Sequence, residues 1–205
     1  MKKIILSSIT LLALAFISFK VPVIHGDGSY TIDPSISTVE WVGKKFTEDH
    51  VGTIGFKNGN IVMSGHGIAS GKFEIDMTTI NCTDLSGESK EDLEGHLRSD
   101  DFFSTEKFPT VLFVINSSVP LQGDPNGNNL TIKGDLTIKG ITNEVQFPAL
   151  VKIADQAITA KATITFDRTK WDIKYKSKTI FADLGDKFIY DDVDLKVMLV
   201  GNLAK

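Results

Sequence analysis

The sequence ITAKATITF at residues 158–166 alternates without a break between apolar and polar side chains. Because successive side chains of a β-strand point to opposite faces, this period of two predicts a strand with one buried face and one face in water. The same alternation recurs along most of the chain that follows residue 38. We therefore predict an all-β protein whose strands contribute to one apolar core.

The other alternating runs are separated by turn-forming residues. They occupy residues 39–44, 71–80, 110–117, 130–139, 144–153 and 193–199. Shorter apolar alternations flank Asn58-Gly59. Asn-Gly in this setting predicts a type I′ hairpin, because both central residues of that turn need positive φ. Gly140 predicts another turn.

Residues 88–98 break the alternation and favour a helix, in which Leu93 and Leu97 share one face. Ser99, followed by two aspartates, is typical of the start of a second short turn, because anionic groups are favoured at helix N-termini. We therefore expect one or two short helices beside the sheet.

About eight to ten strands in a chain of this length are typical of a sandwich or a barrel. The short connections, without βαβ spacing, favour an antiparallel sheet. A closed barrel also removes the two exposed edges that an open sheet has to protect. We favour the barrel, and the alternation alone leaves the sandwich open.

Residues 1–26 are typical of a secretory signal peptide. Lys2 and Lys3 precede an uncharged apolar run at residues 4–19, which is short for a membrane-spanning helix. No A-x-A triplet follows this run to mark a cleavage site, so an uncleaved anchor is the alternative. We expect residues 27–205 to form one domain that is periplasmic or secreted.

The chain after residue 26 carries 19 basic and 26 acidic side chains, a net charge of −7, which argues against binding to nucleic acid. Its histidines are scattered and Cys82 is its single cysteine, so no spaced metal motif occurs. No G-x-S-x-G or nucleotide-binding loop occurs either. We expect neither a metal nor a cofactor.

The chain has thirteen phenylalanines and two tryptophans, which is a large aromatic load for a β-domain. These rings either fill an ordinary core or line a barrel interior that is too wide to be filled and holds an apolar ligand. The pattern of the residues does not decide between these two interpretations.

Several blocks, in the same order, resemble the YceI-like family. The most specific is LEGHLRSDDFF at residues 93–103, followed by KFPT at residues 107–110. The others are YTID at 30–33, STVEWVG at 37–43, HVG at 50–52, GDLTIKGIT at 134–142, and FDR at 166–168 with Trp171. The sequence KWDI at residues 170–173 departs from the family pattern, so we expect a different local bend there.

This resemblance implies a lipocalin-like antiparallel barrel with an elongated apolar interior. It also implies an exported carrier of a polyisoprenoid or another long amphiphilic lipid, with no established enzymatic reaction. The predicted ligand contacts are the apolar residues of the inward strand faces and of the segments that follow the helix and β-strands. They are Phe56, Phe73, Ile75, Phe102, Phe103, Phe113, Leu136, Ile138, Ile164, Phe166 and Trp171.

A polar lipid head group needs hydrogen-bond donors at the mouth of the barrel. The candidates are His50, His96, Arg98 and Arg168. The alternative function is an envelope enzyme, a hydrolase or isomerase, that uses His50 and His96 with a nearby carboxylate. That alternative requires both side chains to reach each other or one cavity. A homodimer formed through the outer face of the barrel is also left open.

Overall fold

Nine β-strands and one α-helix follow one another in residues 26–65 and 67–204, which the computed structural model describes. The elements are β1 (Gly28–Ile32), β2 (Thr38–Lys45), β3 (Asp49–Ser64), β4 (Gly67–Cys82), α1 (Gly87–Arg98), β5 (Thr110–Pro120), β6 (Leu130–Ile138), β7 (Ile141–Ala154), β8 (Ala157–Asp167) and β9 (Ile189–Leu203). Two short 3₁₀ turns, Arg168–Trp171 and Gly185–Lys187, lie between β8 and β9. Residues 1–25 hold nearly all of the predicted signal peptide and lie outside the described residues, so the signal peptide stays a prediction.

The sheet closes on itself. Its order is β3-β2-β9-β8-β7-β6-β5-β4, and β4 pairs again with β3. All pairings between the named strands are antiparallel. The predicted all-β antiparallel barrel is therefore confirmed, and the sandwich is excluded because two separate sheets do not exist in the described chain.

Strands β1 and β2 share one position in the barrel wall, because both lie between β3 and β9. The connection between them interrupts the wall, and a side chain replaces the missing backbone pairing. The Ser37 hydroxyl accepts a hydrogen bond from the Val200 N–H at 3.1 Å and donates to the Val200 carbonyl at 3.3 Å. The barrel thus has eight strand positions, one of which is built from two segments.

The hairpin predicted at Asn58-Gly59 is wrong. β3 runs straight through these residues, and the turn to β4 follows Ser64, where Gly65 has φ +61°. A shift in the pairing of β3 with β4 falls between Phe56 and Asn58. A Cβ at Gly59 would lie 2.6 Å from the Phe73 ring, so this glycine provides a close approach rather than a turn.

The type I′ geometry occurs instead in the two-residue connection between β6 and β7. Lys139 and Gly140 have φ values of +51° and +76°. Residues 138 and 141 pair on either side of them. The turn predicted at Gly140 is therefore confirmed.

The two ends of the barrel differ. At the far end, the described side chains are packed and almost inaccessible, among them Tyr30, Ile61, Leu130 and Ile158. At the other end, which we call the helix end, α1 packs against β4 through Leu93 and Leu97. No helix in the described ranges has both the length and the apolar character needed to cross a membrane.

Two interior glycines on β2 and β3 give a matched test of the packing at the helix end. A Cβ at Gly52 would lie 2.1 Å from the Asn81 carbonyl oxygen and 2.3 Å from the Trp41 ring. A Cβ at Gly43 meets no atom within 4 Å. We expect Gly52→Ala to lower the free energy of unfolding by about 3 kcal/mol and Gly43→Ala to change it by less than about 0.5 kcal/mol, as measured by urea denaturation. Equal effects would contradict this packing.

Candidate ligand-binding cavity

The interior of the barrel is not filled. It contains a cavity of about 200 Å³ whose wall includes residues from every strand from β2 to β9. A dry cavity of ~150 Å³ lined by Leu, Ile and Phe already binds small apolar molecules. Ile164, Leu195 and Val197 are only partly buried although they line the cavity, because their free surface faces this space.

Ten of the eleven predicted ligand contacts lie on the cavity wall. They are Phe56, Phe73, Ile75, Phe102, Phe103, Phe113, Leu136, Ile138, Ile164 and Phe166. The position of the eight that lie on strands follows from the alternation, because each strand turns one set of side chains inward, whereas Phe102 and Phe103 reach the wall from the turn after α1. Their role as ligand contacts stays a prediction.

A row of phenylalanines crosses the middle of the wall. The ring centroids of Phe56 and Phe73 are 6.4 Å apart, those of Phe73 and Phe113 are 6.2 Å apart, and those of Phe113 and Phe147 are 5.7 Å apart. The strand between the last two, β6, has Gly134 in this row, and a Cβ there would lie 2.7 Å from the Phe113 ring. The glycine therefore provides the space that the ring occupies.

Trp171 is the exception among the predicted contacts. Its side chain is fully buried, meets the Phe166 ring edge-on at 5.3 Å and donates a hydrogen bond from Nε1 to the Leu136 carbonyl at 3.0 Å. It is not on the cavity wall. The surrounding KWDI segment is not a strand. Lys170 and Trp171 complete a 3₁₀ turn, and Asp172, the residue that ends this turn, has φ +59°.

Gly43 and Trp41 were not among the ligand contacts predicted from the sequence, although both line the cavity. Gly43 lies on the wall, and no atom occupies the space that a side chain would fill there. The alternation placed Gly43 on the same face as Val39 and Trp41, which was the available signal. Trp41 Nε1 is buried and is the one side-chain nitrogen or oxygen of this kind without a hydrogen-bond partner in the described residues.

Arg168 borders the cavity, but the protein itself uses its guanidinium. The group donates to the carbonyls of Ile173 at 2.9 Å, Tyr190 at 3.2 Å and Ile189 at 3.3 Å, and it lies 3.4 Å from a carboxylate oxygen of Asp191. Burial lowers the pKa of Arg168, and Asp191 opposes that shift. Arg168 thus holds the connection between β8 and β9 against the start of β9.

His50 is buried at the start of β3, where its Nδ1 lies 2.9 Å from a carboxylate oxygen of Asp84. The same carboxylate accepts hydrogen bonds from the Val51 N–H at 2.9 Å and from the Cys82 thiol at 3.2 Å. Burial disfavours the charged form of Asp84, yet these hydrogen bonds prevail and lower its pKa to about 2. The Asp84 carboxylate therefore joins the start of β3 to the residues that follow β4.

His96 has different partners. Its Nε2 lies 3.2 Å from a carboxylate oxygen of Asp101, and its ring meets those of Tyr175 and Phe102 edge-on at 4.5 Å and 4.9 Å. Arg98 donates to the Ile80 carbonyl at 2.7 Å and to Glu94 at 3.2 Å. These contacts attach α1 and the segment after it to the barrel.

The three mouth candidates other than Arg168 do not line the cavity, and each is engaged by protein groups. His50 and His96 bind separate carboxylates, and neither reaches the cavity wall. The structure therefore does not bring the two histidines together in the way that the enzyme alternative requires. Among the described residues, no cluster of three or more His, Cys, Asp or Glu side chains is arranged to hold a metal ion.

Comparison with known sequences gives one family. The family model described as the YceI-like domain matches residues 30–200. Protein YceI of Escherichia coli is 36% identical over 124 residues, which is 60% of either chain. The UPF0312 protein of Shewanella denitrificans is 37% identical over 82 residues, or 40% of this chain and 39% of that protein. The chain thus matches two fifths to three fifths of the length of these relatives.

Comparison with solved structures gives the same barrel. Burkholderia cenocepacia BcnA superposes with a TM-score of 0.66 at 22% identity, over 82% of this chain and 98% of that one. A polyisoprenoid binding domain from Saccharophagus degradans, implicated in plant cell wall breakdown, gives 0.59 at 15% identity, over 85% and 98%. At these identities the likeness shows the fold.

The chain has two arginines, at positions 98 and 168, which allows a matched test of the buried guanidinium. We expect Arg168→Met to lower the free energy of unfolding by about 3–4 kcal/mol, because it removes a buried donor to three carbonyls and the cation beside Asp191. Arg98→Met removes a half-exposed group and should cost about 1 kcal/mol. Urea denaturation measures both. An Arg168→Met loss no larger than that of Arg98→Met would contradict the role of Arg168.

Asp84 predicts a pH dependence. Its lowered pKa means that its stabilisation is present above the ordinary value of 3.8 and is lost as the pH falls through about 2. We expect Asp84→Asn to lower the free energy of unfolding by about 2 kcal/mol at pH 7, and this difference from the wild type should shrink as the pH falls from 4 towards 2. Denaturation at several pH values tests this, with exposed Asp183→Asn as control. A difference that is independent of pH would count against it.

Proposed function

The chain belongs to the YceI-like domain family, and from that premise we propose that it binds a long apolar lipid, such as a polyisoprenoid, inside its barrel. One observation carries the proposal: the inward faces of eight strand positions leave a continuous apolar space unfilled. A barrel evolved only for stability is expected to pack its interior to the density of other protein cores.

The wall favours a ligand held by apolar contact. Of the residues on it, only Lys161 and Arg168 carry a charge, and Lys161 belongs to the outward, exposed set of β8. The donors of Arg168 are directed to backbone carbonyls and Asp191. A ligand that buries on the order of 300 Å² of apolar surface gains about 7 kcal/mol before the costs of ordering.

The structural neighbour from Saccharophagus degradans supports this ligand class, because it is described as a polyisoprenoid binding domain and shares the barrel. The proposal extends that class to this chain and leaves chain length and head group open. It places no catalytic step in the barrel, since the two candidate histidines bind separate carboxylates away from the cavity.

The proposal also includes export. The charged and apolar pattern of residues 1–26 supports removal as a signal peptide and a periplasmic or secreted carrier. Such a carrier explains why an apolar ligand needs a protein: the ligand has to be shielded while it is outside a membrane. A homodimer is not needed for this function and stays a prediction.

Gly43 offers a direct test of the cavity. Gly43→Leu places a side chain in space that the ligand would fill, in a strand position without positive φ. Displacement of the fluorescent probe N-phenyl-1-naphthylamine by the isoprenoid alcohol geranylgeraniol measures the affinity. We expect Gly43→Leu to weaken binding roughly 10- to 100-fold, since about 1.5–3 kcal/mol of apolar burial is lost.

The matched control is Gly95→Leu, which adds the same side chain to the exposed surface of α1, where no atom lies within 4 Å of the new Cβ. This variant should bind as the wild type does. Organic extraction of the purified wild type, followed by mass spectrometry, should release a long-chain lipid. Unchanged affinity of Gly43→Leu, or a wild type that binds neither compound, would contradict the proposal.

A further inference from the structure

The pairing between β7 and β8 covers only part of the two strands. It begins at the hairpin turn that joins them and ends where Ala149 pairs with Ala162. From there towards the helix end, residues 141–148 of β7 pair with β6 alone, and residues 163–167 of β8 pair with β9 alone. We call the gap between these two stretches the β7–β8 slot.

Pro148 gives a physical reason for the end of this pairing. The β7–β8 hairpin has a two-residue turn, so its closing pair exchanges backbone hydrogen bonds, and exchanging pairs recur at every second residue. The next exchanging pair would join Pro148 to Thr163, but proline has no N–H to donate. In the described structure, the backbone groups of Gln146, Thr163 and Thr165 that face the slot therefore have no strand partner.

Side chains of the cavity wall line the β7–β8 slot. They are Val145 and Phe147 on β7 and Ile164 and Phe166 on β8. Val145 and Ile164 are only partly buried. Lys161 belongs to the outward, exposed set of β8, and yet it borders the cavity as well. Because the cavity reaches a side chain of the outer face, it extends through the wall beside β8.

The slot has two defined ends. One end is the last pair of the β7–β8 ladder. At the other, the 3₁₀ turn after β8 fills the gap: Asn143 Nδ2 donates to the Lys170 carbonyl at 3.0 Å, and the Trp171 ring meets Phe166 at 5.3 Å. Residues 163–165 lie between these ends, a length of about 10 Å at the rise of a β-strand. Trp171 thus closes one end of the slot.

A second incomplete ladder shows that this chain can close such a gap. The pairing of β4 with β5 ends, on the side of the far end, where Gly71 pairs with Ile115. Beyond that pair, the Ser118 hydroxyl accepts a hydrogen bond from the Ile68 N–H at 2.7 Å and donates to the Ile68 carbonyl at 3.0 Å. Among the described residues, no side chain forms such a bridge across residues 163–165. The β7–β8 slot is therefore left open where the other gap is sealed.

The helix end offers another route to the cavity, since Tyr190 lies on the wall and is 36% exposed. That route passes Phe102, Arg168 and Ile173, which line the cavity there and are buried. Moving them apart would break the hydrogen bonds that Arg168 donates to backbone carbonyls. Passage through the slot breaks no hydrogen bond between strands, because none is formed there.

We propose that a lipid chain enters and leaves the cavity sideways, through the β7–β8 slot. The inference rests on the proposed function and adds the route to it. The apolar side chains of the two strands contact the chain as it passes, and the unpaired backbone groups of the slot remain in contact with water.

Hydrogen exchange of the wild type, resolved by NMR, tests whether the slot exists in solution. The amides of Lys161 and Thr163 both face β7, but only that of Lys161 lies in the paired stretch. We expect the amides of Thr163 and Thr165 to exchange on the order of 100-fold faster than that of Lys161. Equal protection would mean that the ladder continues, and it would overturn the proposal.

A cleavable cross-link tests whether the slot is the route. Gln146 and Thr163 are exposed on its two sides, and Cys82 is buried, so dithiobismaleimidoethane can join the double variant Gln146→Cys, Thr163→Cys across the slot. Mass spectrometry verifies the cross-link, and stopped-flow mixing with N-phenyl-1-naphthylamine gives the rates. We expect association and dissociation to slow about tenfold with unchanged affinity, because a blocked route hinders entry and exit alike. Reduction of the linker should restore both rates.

The matched control is Glu40→Cys, Lys196→Cys, which places the same cross-link between two exposed positions that pair directly on β2 and β9. It should leave both rates unchanged. Unchanged rates in the protein that is cross-linked across the slot would mean entry at the helix end and would overturn the proposal. A wild type that binds neither the probe nor geranylgeraniol would instead contradict the proposed function. The two failures are therefore distinguishable.

Discussion

The pairing of β3 with β4 is the constraint on which the rest of this structure depends. It closes the sheet and satisfies the backbone hydrogen bonds of both edges, which an open sheet would expose. Closure at eight strand positions also sets the width of the interior. The phenylalanines of the interior lie on the cavity wall, and their side chains do not fill the space that the wall encloses. The candidate site is thus a consequence of closure rather than an addition to the fold.

The buried polar groups stabilise the helix end without entering the cavity. Asp84 joins the start of β3 to the end of β4, and Glu94 of α1 accepts a hydrogen bond from the Cys82 N–H at 2.8 Å. Arg168 does the same for the connection before β9. Because these charges have protein partners, the interior stays apolar even where the barrel meets water. This division explains why charged residues near the mouth are structural and why the proposed ligand is held by its chain.

The two ends of the barrel differ in what they contribute to the candidate site. The cavity meets the surface at the helix end, where Tyr190 lies on the wall and is 36% exposed. The far end contributes stability, since its buried side chains close the barrel there. The cavity therefore opens where the connections are longest and least constrained by strand pairing.

The alternation in the sequence determined the inward set of side chains and hence the place on the cavity wall of the eight predicted contacts that lie on strands, because the period of two is a local property of each strand. Only the tertiary structure decided that Asn58-Gly59 lies within a strand, that Trp171 leaves the wall and that space beside Gly43 stays empty. It also decided that the two histidines bind separate carboxylates. These features depend on the register between strands that are distant in sequence, and local periodicity carries no information about that register.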